Sequence, residues 1–228
     1  MQNKVLSSGN SESLAARAVE RALAERKAWY ADEVRRLLEA GFVVIRRSGE
    51  LAPRVSEVIR EAGLSNQAFY RHFPSKPAFL VAVLDAGVRV LADYLAHRMQ
   101  AAEAPLDKVR AWLAGMLEQA LDPQGATATR PFALARGRLA EAFPDEVAAS
   151  ERQLSALVRD ALREAVAAGE IPAGDPDADA ETLYHLAMGW MQARLAEPRP
   201  ADRRDAERLI EFALSGLARG AKARAADV

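Results

Sequence analysis

The sequence predicts an all-α protein: an N-terminal helix-turn-helix three-helix domain followed by a larger helical domain. Three observations carry that prediction. Ala, Leu, Arg and Glu dominate the 228 residues, and all four are good helix formers. β-branched runs are rare, and no stretch alternates apolar and polar residues as a half-buried strand would. Apolar residues instead recur at the three- and four-residue spacing of a helix face.

The elements follow in order. Residues 1–11 read as disordered. Ser13 to about Ser48 forms one long helix or two, with an apolar stripe through Val34, Leu37, Leu38, Gly41 and Ile45, and Gly49 ends it. A second helix covers roughly Pro53 to Ala62 and a third Asn66 to Phe73. A long fourth runs from Ser75, a suitable cap, to about Met99, with Pro77 in its first turn. Pro105 opens the next, to about Leu121. Asp122 to Pro131 reads as a loop, Phe132 to Ala142 as a short helix, and Asp145 to Ala168 as a helix stopped at Gly169. A turn-rich stretch, Ile171 to Asp179, leads to helices over Ala180–Glu197 and Asp202–Arg219. The expected domains are an extension at 1–24, a head at 25–76 and a body at 77–228.

Val55 to Lys76 is the most specific stretch. Val55, Val58, Ile59 and Ala62 share one face; Gly63 permits a sharp, left-handed turn; Leu64 fills the angle and Ser65 caps the next helix. Two short helices around a glycine turn outline a helix-turn-helix, whose second helix enters the DNA major groove. Phe69 and Phe73 face the core, leaving Asn66, Gln67, Tyr70 and Arg71 outward. Asn and Gln can pair with adenine, Arg with guanine, and Tyr with a phosphate; Lys76 can add a phosphate contact. An ordinary helical hairpin with a polar surface is the competing reading of the same pattern.

Charge distribution agrees with a DNA-binding head. Residues 21–76 hold eleven Lys or Arg against seven Asp or Glu, while the whole chain has net charge −1, so the remainder is acidic. With no cysteine, disulfides, thiolate metal sites and cysteine nucleophiles are excluded. No apolar run reaches membrane-spanning length and the N-terminus lacks the apolar core of a signal peptide, so a cytoplasmic protein without membrane contact is expected.

With these residues in place, Leu37 to Lys76 resembles the DNA-binding domain of the TetR (tetracycline-repressor) family of bacterial transcriptional regulators. LLEAGFVVIRRSG matches its apolar first helix ending in glycine, and AGLSNQAFYRHFPSK its "AGVS" and "LYxYFxSK" segments, without a gap from Gly49 to Lys76. The resemblance implies phosphate contacts from Tyr70, His72 and Lys76. It places Ser65, Asn66, Gln67 and Arg71 at the start and exposed face of the recognition helix. Where the family often has a hydroxyl at the start of the second helix, this chain has Pro53 and Arg54, and Arg54 supplies a charged contact instead. Arg17, Arg21, Arg26 and Lys27 on the extension lie along the DNA backbone or on a solvated or dimer-packing helix.

The resemblance further implies a dimer on a near-palindromic double-stranded operator, released by a small, apolar or amphipathic effector held in the body, most simply as a repressor. Trp112, Met116, Phe132, Leu139, Phe143, Tyr184, Met188, Trp190 and Met191 suit a ligand pocket, though each also suits an ordinary core. Arg136 and Arg138 can meet an anionic head group or stay solvated. Met188 and Met191, with Phe212, Ala213, Gly216 and Gly220, look like a dimer seam or an intramolecular hairpin. No cofactor is implied, and no phosphate loop, Gly-x-Ser-x-Gly or HExxH supports an enzyme. The alternatives are a helical ligand-binding or adaptor protein with a vestigial hairpin and, more remotely, a bundle binding metal through His97 and His185.

Overall fold

The computed structural model describes residues 14–197 and 202–224, with side chains to residue 218. The expected disorder of residues 1–11, most of the break at 197–201 and the packing of Gly220 lie outside what is described. Ten helices are present among the described residues, and no strand: α1 (Leu14–Ser48), α2 (Val55–Ala62), α3 (Asn66–His72), α4 (Lys76–Gln100), α5 (Pro105–Leu121), α6 (Pro123–Leu134), α7 (Arg136–Ala142), α8 (Pro144–Ala167), α9 (Pro176–Ala196) and α10 (Arg203–Arg224). None is long and apolar enough to cross a membrane.

Two cores organise them. The smaller gathers Leu37, Ala40 and Ile45 of α1, Val58 and Ala62 of α2, Phe69 and Phe73 from the α3 region, and Phe79 and Val83 of α4. The larger is built round α5, whose Val109, Trp112, Leu113, Met116 and Leu117 are almost wholly buried against α4, α8, α9 and α10. α4 serves both: its first two turns belong to the head core, and Ala92, Leu95 and Met99 to the body core. A head ending at residue 76 would therefore leave part of its own core in the body.

Local chemistry explains most boundaries. Gly49 and Gly63 take left-handed φ of 70° and 63°, which stop α1 and α2. Ser65 and Ser75 cap α3 and α4 by accepting from the N–H groups of Ala68 and Ala78. α1 is one continuous helix.

Four expectations need correcting. Pro53 is not helical: Arg54 is extended (φ −73°, ψ 135°), so α2 starts at Val55 without a side-chain cap. The stretch 122–131 is not a loop. Asp122 accepts from the Gly125 N–H at 2.6 Å, Pro123 occupies the first turn, and helix α6 continues through Pro131. A capped start with a permitted proline outweighs the turn-forming look of the composition. The helix expected over 132–142 is divided at Ala135, whose φ of −94° and ψ of 1° separate α6 from α7. α9 starts at Pro176, not Ala180, because Asp175 caps it through the N–H groups of Asp177 and Ala178.

Candidate nucleic-acid interface and cavity

The head presents α3 on a rigid base. Phe69 is fully buried and Phe73 nearly so; their rings meet Phe79 at 5.1 Å each. Arg36 of α1 donates to the Ala62 and Gly63 carbonyls at 2.6 and 3.2 Å, pinning the turn between α2 and α3. Asn66, Gln67, Tyr70 and Arg71 are exposed, Tyr70 at 50%, while Ser65 is occupied as the cap. Arg54 is exposed beside the start of α2, and Lys76 donates to the Ala52 carbonyl at 3.1 Å, holding the loop before α2 to the start of α4.

His72 and Arg71 differ from the others. Both donate to one oxygen, Oε2 of Glu33 on α1: His72 Nε2 at 2.7 Å and Arg71 Nη1 at 3.1 Å. Only 10% of the His72 side chain is exposed, so its ring faces α1 rather than the open face of α3. Sequence reasoning missed Glu33. The signal that would have found it is a carboxylate on the same helical stripe as Leu37 and Ala40, where an apolar residue is expected.

The body contains a cavity of about 580 Å3 lined by α1 and α4–α9. Its wall is mainly apolar: Leu84, Val88 and Leu91 from α4, Phe132 from α6, Leu139 from α7, Val147 and Leu154 from α8, and Met188 and Met191 from α9. Polar groups are few. Arg136 is ion-paired with Glu151. Tyr184 is 4% exposed; burial pushes its phenol above the ordinary value, partly offset by the positive charge of the adjoining Arg136. The head contributes Phe42, Val43 and Arg46.

Of the residues expected to line a pocket, Phe132, Leu139, Tyr184, Met188 and Met191 do so. Trp112 and Met116 do not: both are fully buried in the body core, and Trp112 Nε1 donates to the Leu154 carbonyl at 3.1 Å. Phe143 sits at the junction of α7 and α8, and Trp190 lies under the Arg194 guanidinium at 5.9 Å. Arg138 is exposed and does not line the cavity. Met188 and Met191, expected at a pocket and also at a seam, line the cavity. Helix phase decides this: Ala187 and Met191 turn inward together. Of the other seam residues, Phe212 is 73% exposed, Gly216 is exposed and Ala213 is buried within the chain; the three border a depression of about 190 Å3. His97 and His185 are exposed on different helices, and His185 Nδ1 is engaged with the Glu181 carbonyl. No three potential metal ligands converge among the described residues.

Fold and sites together define a helical head-and-body protein, with a helix-turn-helix at one end and a cavity in the body. The family model described as bacterial regulatory proteins, tetR family, matches residues 37–83, and the N-terminal domain belongs to that family. The match ends at Val83, where the head core also ends. Solved structures share the overall fold. A TetR transcription regulator from Haloarcula marismortui is 17% identical, with a TM-score of 0.67 over 83% of this chain and 98% of that one. A TetR-family transcriptional regulator from Agrobacterium tumefaciens is 20% identical, with a TM-score of 0.64 over 83% and 99%. The regulator FadR from Bacillus subtilis, in complex with stearoyl-CoA, is 16% identical, with a TM-score of 0.61 over 81% and 97%. A search of curated proteins returns no match.

Proposed function

We propose that this chain is a ligand-responsive transcriptional repressor that covers its operator as a homodimer and lets go when a small amphipathic effector fills the body cavity. One observation carries the reading: the cavity is walled partly by the DNA-reading head itself. Phe42 of α1 and Phe132 of α6 line the cavity, pack on the head core and lie 6.1 Å apart. An occupant that moved Phe42, directly or through Phe132, would shift the same helix that pins the α2–α3 turn through Arg36.

On this reading Asn66, Gln67, Tyr70 and Arg71 meet DNA, with Arg54 and Lys76 near the phosphates, and the acidic body keeps other surfaces off DNA. The exposed Phe212 edge of α10 is offered as part of the dimer seam, which must hold two recognition helices about one DNA turn (~34 Å) or a multiple apart, on a near-palindrome. The effector has an apolar body and a hydrogen-bonding group. Glu151 already neutralises Arg136, so a neutral carbonyl or hydroxyl beside Arg136 and Tyr184 fits better than a second buried anion. The stearoyl-CoA bound by FadR also pairs an apolar chain with polar groups.

The test is binding of the purified chain to the DNA upstream of its own gene and to random duplex of equal length, over a range of salt. The regulator should prefer its own DNA and lose affinity steeply as salt rises. Equal affinity for both duplexes sinks the reading. Long-chain esters and alcohols, added next, should release the DNA and raise the melting temperature.

A further inference from the structure

We infer that Glu33 and Trp29 of α1 are positioning residues that hold Arg71 as a guanine-reading side chain on the flank of α3. The inference rests on the DNA-reading role proposed above. Glu33 is 4% exposed and is the one charged residue buried among the described residues. A carboxylate so buried needs partners, and it takes two from the recognition helix, Arg71 and His72, through a single oxygen. Trp29 adds a second constraint. The Arg71 guanidinium lies over its ring at 5.0 Å and 5.8 Å from that of Tyr30, which also sets its edge to His72 at 5.4 Å. Trp29, Tyr30 and Glu33 share one face of α1, so one helix face supplies the whole clamp.

The clamp leaves the reading capacity of Arg71 intact. A guanidinium has five N–H donors in a planar fork, and only one is spent on Glu33. The rest suffice for a bidentate pair with O6 and N7 of guanine. Arg71 stands one helical turn from exposed Gln67, beside the face expected to enter the groove. A free arginine loses its rotamer freedom when it binds; here that ordering happens when the head folds. Glu33 cancels the charge of Arg71, so Arg71 governs base choice more than salt-dependent affinity.

Selection of duplexes from a randomised pool by the full-length chain tests this. Wild type should enrich guanine at one position repeated in each half-site. Arg71→Ala should lower that preference about tenfold or more. Glu33→Gln and Trp29→Leu should each lower it roughly 2- to 10-fold. Glu33→Gln should add nothing in an Arg71→Ala background, a coupling that mere loss of stability would not produce. Trp29 is half exposed, so Trp29→Leu folds even if Glu33→Gln does not; thermal melts separate the cases. Unchanged guanine preference in the folded clamp variants overturns the inference, as does an Arg71→Ala variant that weakens all sequences equally, the mark of a phosphate contact. If wild type enriches no sequence, the DNA-reading role itself falls and takes the inference with it.

Discussion

The head and the body solve opposite packing problems. In the head, three phenylalanine rings interlock over α1, and Gly41 lets α1 and α4 meet so closely that a Cβ there would lie 2.7 Å from the Phe79 ring. In the body, long helices line a partly open cavity of about 580 Å3. A protein interior is normally filled to crystal-like density, and this cavity, partly open to the surface, stands apart from that filled core. A reading helix needs one fixed pose, and a solid core provides it. On the proposed function an effector site needs room, and the body keeps it between α4, α6 and α9, beside the filled core round α5.

That contrast can be broken or sharpened by substitution. The largest effect belongs to Phe69→Ala, which removes the centre of the ring cluster and should cost about 3–5 kcal/mol. Chemical denaturation should show the head unfolding, and a loss below about 1 kcal/mol would mean the head core is loose. Gly41→Ala adds one carbon where the neighbours cannot yield. It should destabilise by about 1–2 kcal/mol, even though alanine is the better helix former by nearly 1 kcal/mol. Asp122→Ala removes the cap that starts α6 and should cost about 1 kcal/mol, with the effector response weakened because α6 carries Phe132. The smallest effect is expected from Val88→Leu, the body's counterpart of Gly41→Ala. It adds a methylene facing the cavity, so the change in stability should stay within about 0.5 kcal/mol. A clear loss there would show that the space is unavailable, and the comparison with the head would fail.

The head was largely legible in the sequence because its signals are local. Gly63 in a left-handed turn, the Ser65 and Ser75 caps and the inward pair Phe69 and Phe73 all act within a few residues, and each stands where the pattern put it. The body was less legible. Large apolar residues at helical spacing announce that they are buried but not whether they face a core or a void. Trp112 and Leu139 look alike in sequence; one fills the centre of α5 and the other faces the cavity. Loop-like composition concealed α6, whose start depends on one capping carboxylate.

The sequence by itself determined the all-helical class, the helix-turn-helix and its inward and outward faces, because helix period, capping and glycine stereochemistry are written in neighbouring residues. Only the tertiary structure decided which apolar side chains enclose the cavity, that α1 walls it, and that Glu33 is buried with Arg71 and His72. Those outcomes depend on where helices far apart in sequence cross. A carboxylate on α1 pairs with residues 38 and 39 positions later only because the Phe69, Phe73 and Phe79 rings have set α3 against it.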